Sequence, residues 1–241
     1  MEIRYNAIVL KKKEVGETDR LYTLYTQEQG KVRLIAKGVR KSEAKLAGQL
    51  ETLMQGMVMV VKGRGAGKIA GALAEKNFFH IRTDGDILQR VLETVALFER
   101  LVEWDEADSK LFSLLATYLA LVDDFAKAGE KEKIFLLTEG FLFQFFAQLG
   151  YTIETGTCVI SGKKLTSGEQ HFFSPSAGGV LASAHSHSTD QAFPISENTI
   201  KLIRIFLQNR LESLSRVKVE RRELREVQQV RKRFFQWMIE R

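Results

Sequence analysis

The 241-residue sequence predicts an α+β protein in which a small β-barrel precedes a helical domain, itself interrupted by an insertion. Three observations carry that class. Apolar side chains recur at every second position over the first 80 residues and at every third or fourth position beyond Asp84. Residues 151–190 follow neither period and are rich in Gly, Ser and Thr. Hydrophobic residues make up 44% and charged residues 27%, proportions that supply a packed core and exclude wholesale disorder.

The barrel rests on five short apolar segments. Ile3, Tyr5, Ala7 and Val9 alternate with polar residues, as do Leu21, Thr23, Tyr25 and then Val32, Leu34, Ala36. Gln29-Gly30-Lys31 separates the second and third runs as a tight hairpin. Met57–Val61 is a continuous apolar run, followed by the glycine-rich turn at 63–67 and a last strand within Ile69–Phe79. Five strands at short spacing with no long helix favour a closed or nearly closed barrel, because closure removes exposed edges.

The helical part opens with Leu88, Val91, Leu92, Val95 and Phe98, extended by Leu101 and Val102. A second helix is expected over Ser109–Asp123. A third, over Glu130–Leu149, is apolar almost all round and belongs at the centre of a bundle, with Gly150 ending it at C′. The aperiodic stretch 151–190 is a functional insertion or a small module. Helical pattern resumes over Ser196–Asn209, with Ser196 as N-cap, and over Arg221–Glu240, where Leu224, Val227, Val230, Phe234, Trp237 and Met238 form the apolar stripe. The expected domains are 1–80, then 81–150 together with 191–241, with 151–190 inserted.

Several function classes lose support. No apolar run approaches the ~18 residues of a membrane span. Glu2 stands where a secretory signal carries positive charge, and the lone Cys158 makes no internal disulfide, so a soluble, cytoplasmic protein is expected. Counted against the Walker pattern, the Gly63–Lys68 stretch has Lys62 in place of the first glycine and Ile69 in place of the metal-binding hydroxyl. No serine sits in a Gly-x-Ser-x-Gly elbow, and Asp84/Asp86 and Asp123/Asp124 read as helix-end charges. The residues therefore predict neither an enzyme nor a cofactor. Cys158-Val159-Ile160-Ser161 and Ala182-Ser183-Ala184-His185 have the spacing of two zinc knuckles but supply only two ligands, whereas structural zinc takes four. A buried structural cysteine is the expectation; His171 and His187 could be recruited to a rearranged site, though neither sits at the expected spacing.

Charge is segregated. Residues 1–80 hold 15 basic and 8 acidic side chains, residues 81–150 hold 7 and 13, and residues 151–241 hold 14 and 9. Clustered cations are the footprint of phosphate binding. Lys37, Arg40, Lys41 and Lys45 share one connector after the third strand; Lys11, Lys12 and Lys13 stand at the end of the first; Arg20 and Arg33 flank the second hairpin. On a small barrel these cations can follow a phosphate backbone, while Tyr22 or Tyr25 offers a ring for base stacking. The competing reading is equally open: tyrosines in the core and cations that merely solvate a loop. Near the C-terminus, residues 216–233 carry eight cations against Glu220, Glu223 and Glu226. Intrahelical pairs such as Arg222 with Glu226 account for part of that charge, and the surplus, with Arg222, Arg225 and Arg231 as the candidates, favours a ligand.

These features assemble into a recognisable pattern. Gly16-Glu17-Thr18-Asp19-Arg20-Leu21, Gly30-Lys31-Val32-Arg33 and Ala36-Lys37-Gly38-Val39-Arg40-Lys41 resemble, in order and spacing, the bacterial recombination mediator family RecO. Gly63-Arg64-Gly65, Leu149-Gly150-Tyr151 and Pro175-Ser176-Ala177-Gly178-Gly179 extend the resemblance over nearly the whole chain. The resemblance implies an N-terminal OB-fold barrel, an α-helical domain and an inserted zinc-ribbon-like segment. It implies binding of single- and double-stranded DNA, annealing of complementary strands, and help in loading RecA onto strands coated by single-strand binding protein. The implied partners are RecR and the acidic C-terminal tail of single-strand binding protein, and the implied setting is the bacterial cytoplasm, at the nucleoid. One departure stands out: where relatives place two Cys-x2-Cys pairs, this sequence has Cys158, Ser161, Ala182 and His185, so the zinc is not carried over. The alternatives on the same electrostatics are an RNA-binding OB module and a nuclease.

Overall fold

In the computed structural model, which describes residues 2–41, 46–61 and 67–240, the alternating segments form strands β1 (Glu2–Val15), β2 (Asp19–Thr26), β3 (Gly30–Ala36), β4 (Gln55–Val61) and β5 (Lys68–Lys76). They close into a barrel in the order β1-β2-β3-β5-β4, with only the β3–β5 contact parallel. Tyr5, Ala7, Val9, Tyr22, Leu24, Val32, Leu34, Val58, Val60 and Ile69 fill its interior. Strand β1 runs further than the sequence suggests. A register shift between Val9 and Lys11 lets it bend and keep pairing with β2 to Val15, so Lys11, Lys12 and Lys13 lie within the strand, just short of its end. The antiparallel β4–β5 pair makes the glycine-rich segment the connection of a hairpin, most of which, residues 62–66, lies outside the described residues.

The chain divides into two compact units, Met1–Lys131 and Glu132–Arg241, so the helices expected over 81–150 are shared between them. The first unit continues from the barrel into α1 (Phe79–Arg82), α2 (Gly85–Leu101) and α3 (Ser109–Ala128). Asp84 and Asp108 start α2 and α3 by accepting from the second and third amides of each helix. Helix α3 passes through Asp123 and stops at Gly129, whose φ of +72° provides the left-handed exit. Asp123 is therefore not a helix-end charge. It lies inside α3 and accepts from the Ile81 amide at 3.0 Å, with the His80 ring 3.1 Å away.

The second unit is built around α4 (Lys131–Gln148), which starts at the boundary and buries Phe141, Phe143, Phe145 and Phe146. Gly140 on this helix accommodates Leu214, which would lie 2.3 Å from a Cβ there. The helix closes with the Tyr151 amide donating to Phe146 and Gly150 in a left-handed conformation, as its position after the apolar run predicted. The expected insertion supplies β7 (Gly179–Ala182) and β6 (His171–Ser174) of a three-stranded sheet, which extends past residue 190 to include β8 (Phe193–Ile195), in the spatial order β7-β6-β8. Helices α5 (Glu197–Gln208) and α6 (Arg221–Glu240) follow, with Ser196 capping α5 through the Thr199 amide. Among the described residues, no helix is long and apolar enough to cross a membrane.

Candidate nucleic-acid interface

Strand register places the basic side chains. Lys11 faces Thr23 and Thr23 faces Arg33; one step on, Lys13 faces Leu21 and Leu21 faces Ile35. Because Tyr22, Leu24 and Leu34 fill the interior, these residues of opposite parity point outward. The outer side of β1–β2–β3 thus carries two cross-strand rows, with exposed Lys11, Lys13 and Arg33 around a floor of Thr23, Leu21 and Ile35. The turn after β3 brings Lys37 and Lys41 to the end of the same three strands. That turn is braced: the Gly38 amide donates to Asp19 Oδ1 at 2.7 Å and the Arg40 amide donates to the Thr18 carbonyl at 2.9 Å. The Gly38 hydrogen bond, aided by Thr18, Lys37 and Lys41, holds the Asp19 carboxyl below the usual carboxylate range.

Some expected residues are committed elsewhere. Lys12 lies opposite Tyr22, on the other side of the strand, and pairs with Glu51. Arg20 shares that parity and lies 3.7 Å from Glu14, whose carboxylate also meets Arg40 at 3.4 Å. Lys45 lies outside the described residues. Neither tyrosine offers a ring. Tyr22 is 0% and Tyr25 1% exposed. Tyr22 belongs to the barrel interior, whereas Tyr25 points outward but is covered, edge-on to Phe98 of α2 at 4.8 Å and stacked on Phe112 of α3 at 6.5 Å. Burial pushes both phenols above their ordinary pKa.

The ring beside the cations is Trp104, 38% exposed, which sequence reading missed. Arg33 lies over its face at 4.6 Å and Lys31 at 4.4 Å. Trp104 follows α2 and is fastened to β3: it bridges to Lys31 in parallel, and the Asp105 amide donates to the Lys31 carbonyl at 2.9 Å. Gly30 permits this approach, since a Cβ there would stand 1.9 Å from the Glu106 carbonyl oxygen. The available signal was a tryptophan inside the acidic run Glu103–Asp108, just after the helical period lapses at Val102.

A second basic surface lies on α6. Arg222, Arg225 and Lys232 are exposed at three- and seven-residue spacing, opposite the apolar stripe, and carry no ion pair among the described residues. The expected Arg222–Glu226 pairing is absent because Glu226 turns to α5, accepting from the Ser196 amide at 3.1 Å and from the Ser196 and Thr199 hydroxyls. Glu223 likewise accepts from Asn198 at 2.7 Å. Arg231 must be removed from the interface. Its Nε donates to Glu139 Oε2 at 2.6 Å, and the two side chains are 12% and 1% exposed.

In the insertion, Cys158 Sγ lies 3.8 Å from His185 Nδ1. Burial opposes ionisation of this thiol, but hydrogen bonds from the Ala182 amide, the Ser161 hydroxyl and amide, and the Ile160 amide outweigh it and bring the pKa down to about 7. The four knuckle positions therefore still converge on one sulfur. Among the described residues, no three His, Cys, Asp or Glu side chains assemble a metal site.

A five-stranded barrel closed in this order, followed by helices, has the architecture of an OB-fold joined to a helical domain. The description "Recombination protein O N terminal" matches residues 1–78 and "Recombination protein O C terminal" matches residues 90–241. The chain belongs to the recombination protein O (RecO) family, and its role lies in DNA repair and recombination. It is 29% identical to DNA repair protein RecO of Dehalococcoides mccartyi over 94% of this chain and 87% of that one. The corresponding figures are 29% over 95% and 82% for Heliobacterium modesticaldum, and 33% over 73% and 69% for Myxococcus xanthus.

Proposed function

We propose that the protein is a non-enzymatic mediator that binds single- and double-stranded DNA, anneals complementary strands and helps load RecA onto strands coated by single-strand binding protein. The observation that carries this reading is the outer side of β1–β2–β3, where Lys11, Lys13 and Arg33 stand in cross-strand rows beside the exposed ring of Trp104. The chemistry is electrostatic. Two complementary strands repel each other; cations that neutralise phosphates on both lower that repulsion and raise their encounter rate. The barrel side holds one backbone, and Arg222, Arg225 and Lys232 hold another. RecR and the acidic tail of single-strand binding protein are the proposed partners, and the bacterial cytoplasm, at the nucleoid, the proposed setting.

The test is annealing of complementary oligonucleotides, with and without single-strand binding protein. Faster annealing that survives coating of the strands supports the reading; no acceleration under either condition overturns it. Competition with RNA of equal length separates the DNA reading from an RNA-binding one, and intact strands after incubation with Mg²⁺ or Mn²⁺ separate it from a nuclease.

A further inference from the structure

Helix α6 sorts its side chains by the direction they face. Its aromatic residues are turned to other rings: Phe234 and Phe235 lie 6.5 and 6.0 Å from Phe146, and Trp237 stacks on Phe234 at 5.7 Å. Its carboxylates are drawn off as well, Glu223 to Asn198, Glu226 to Ser196 and Thr199, and Glu240 to Gln236. Arg221 pairs with Glu132 at 2.9 Å, Arg231 with buried Glu139, and Arg233 lies over the Phe193 ring at 4.3 Å. What is left opposite the apolar stripe is a row of exposed side chains on one helical face, Arg222, Arg225, Gln229 and Lys232. No carboxylate interrupts that row.

The row has a defined span. Arg222 and Arg225 stand about 4.5 Å apart along the axis and Lys232 about 10 Å beyond Arg225, with uncharged Gln229 between them. Cations grouped at the two ends of a rigid rod fit two phosphate backbones with a gap between. The major groove of B-DNA is such a gap, about 12 Å wide with phosphates along both margins. A single strand offers one backbone and nothing opposite it. What the row lacks points the same way. Among the described residues the exposed Phe, Tyr and Trp rings are Phe79, Trp104 and Tyr151, and none of these is on α6. Without a ring to stack on, unpaired bases contribute nothing there, and affinity rests on charge. A duplex carries one charge per ~1.7 Å of axis against ~3.4 Å for one of its strands, so a purely cationic surface favours the duplex.

We propose that this row of α6 is a duplex-selective surface that straddles the major groove, with Arg222 and Arg225 on one backbone, Lys232 on the other and Gln229 over the opening. It rests on the DNA-binding reading and assigns that reading's two substrates to different places. Unpaired strands, whose bases are free to stack, go to the barrel side with Trp104, and paired strands go to α6. The surface is thereby suited to hold the product of annealing, because pairing hides the bases that Trp104 would stack on.

The experiment measures the affinity of the intact protein for a short mixed-sequence duplex and for each of its separated strands. Arg222→Gln, Arg225→Gln and Lys232→Gln together keep helix propensity and should leave Tm nearly unchanged. In that triple variant the ratio of duplex to single-strand affinity should fall by roughly tenfold or more, and the duplex salt slope should become shallower by about two to three. Trp104→Leu should move the ratio the other way. A second arm uses the parent alone. A duplex whose major groove is filled by glucosylated 5-hydroxymethylcytosine should bind more weakly, whereas distamycin in the minor groove should not compete. Equal losses on duplex and strands in the triple variant make α6 a general phosphate surface and overturn the proposal. Displacement by distamycin, with the glucosylated duplex bound normally, overturns it as well. A parent that binds strands but no duplex overturns it and leaves the single-strand reading standing; a parent that binds neither overturns both.

Discussion

Arg222 and Arg231 sit on one helix in opposite settings, the first exposed and the second in a buried ion pair. The Arg231 guanidinium meets a Glu139 carboxylate that is 1% exposed, so removing it strands a charge in the core. Arg231→Met is expected to cost about 3–5 kcal/mol of stability, read as a lowered Tm, with the DNA affinity of the folded protein unchanged. Arg222→Ala with Arg225→Ala should reverse the pattern: surface changes of this kind cost under about 0.5 kcal/mol each, and the loss should appear in DNA binding. If both variants change the same quantity, the division between structural and ligand-facing cations fails. Trp104 belongs at the same scale. Base–aromatic stacking contributes about 1–3 kcal/mol per base, so Trp104→Leu should weaken single-strand binding by roughly tenfold or more and duplex binding much less. Equal losses on both substrates would show that Trp104 only fastens the segment after α2 to β3.

At the scale of elements, the insertion has kept the backbone of a zinc knuckle around a single sulfur. Cys158 and His185 leave two tetrahedral positions without protein ligands, so the protein should purify without stoichiometric zinc and resist unfolding by chelators. Elemental analysis showing one zinc per chain, lost together with the fold, would overturn this. The thiol supplies an independent check with a definite sign. Its folded pKa is depressed from 9.0 to about 7, so its contribution to stability is complete above about pH 9 and is lost as the pH falls through about 7. The stability advantage of the parent over Cys158→Ser should therefore grow between those values; a flat difference would contradict it. Elements were legible in the sequence wherever one residue decides a boundary: Ser196 caps α5 and Gly150 ends α4 as expected. The extent of β1 was not, because a bulge after Val9 changes the register without changing composition. Alternation put Leu21, Thr23 and Tyr25 on the apolar face of β2, whereas Tyr22 and Leu24 fill the barrel and Tyr25 is covered from outside by α2 and α3. Glu226 was unreadable for the same reason, since its partners on α5 are distant in sequence.

For the whole molecule, the net charge of +6 understates what a DNA strand meets, because acids and bases are sorted by segment and many of the acids are used internally. On the barrel, Asp19 braces the basic turn and Lys11, Lys13, Arg33, Lys37 and Lys41 carry no ion pair among the described residues, while in the second unit Glu226 and Glu223 attend α5 and Glu139 holds Arg231. Each neutralised phosphate releases about 0.7–0.9 counterion. Engagement of about 4–6 phosphates therefore predicts a slope of log K against log salt of about −3 to −5, with little dependence on base sequence. Replacing Lys11 and Lys13 together with Gln should make that slope shallower by about two, at a cost in stability of under about 0.5 kcal/mol per site. The double change is informative because the two side chains share one strand and one face, so they are lost from a single contact path. A parent slope near zero would remove the electrostatic account altogether. A steep slope left untouched by the double change would keep that account but move the contact from the β1–β2–β3 side to the arginines of α6.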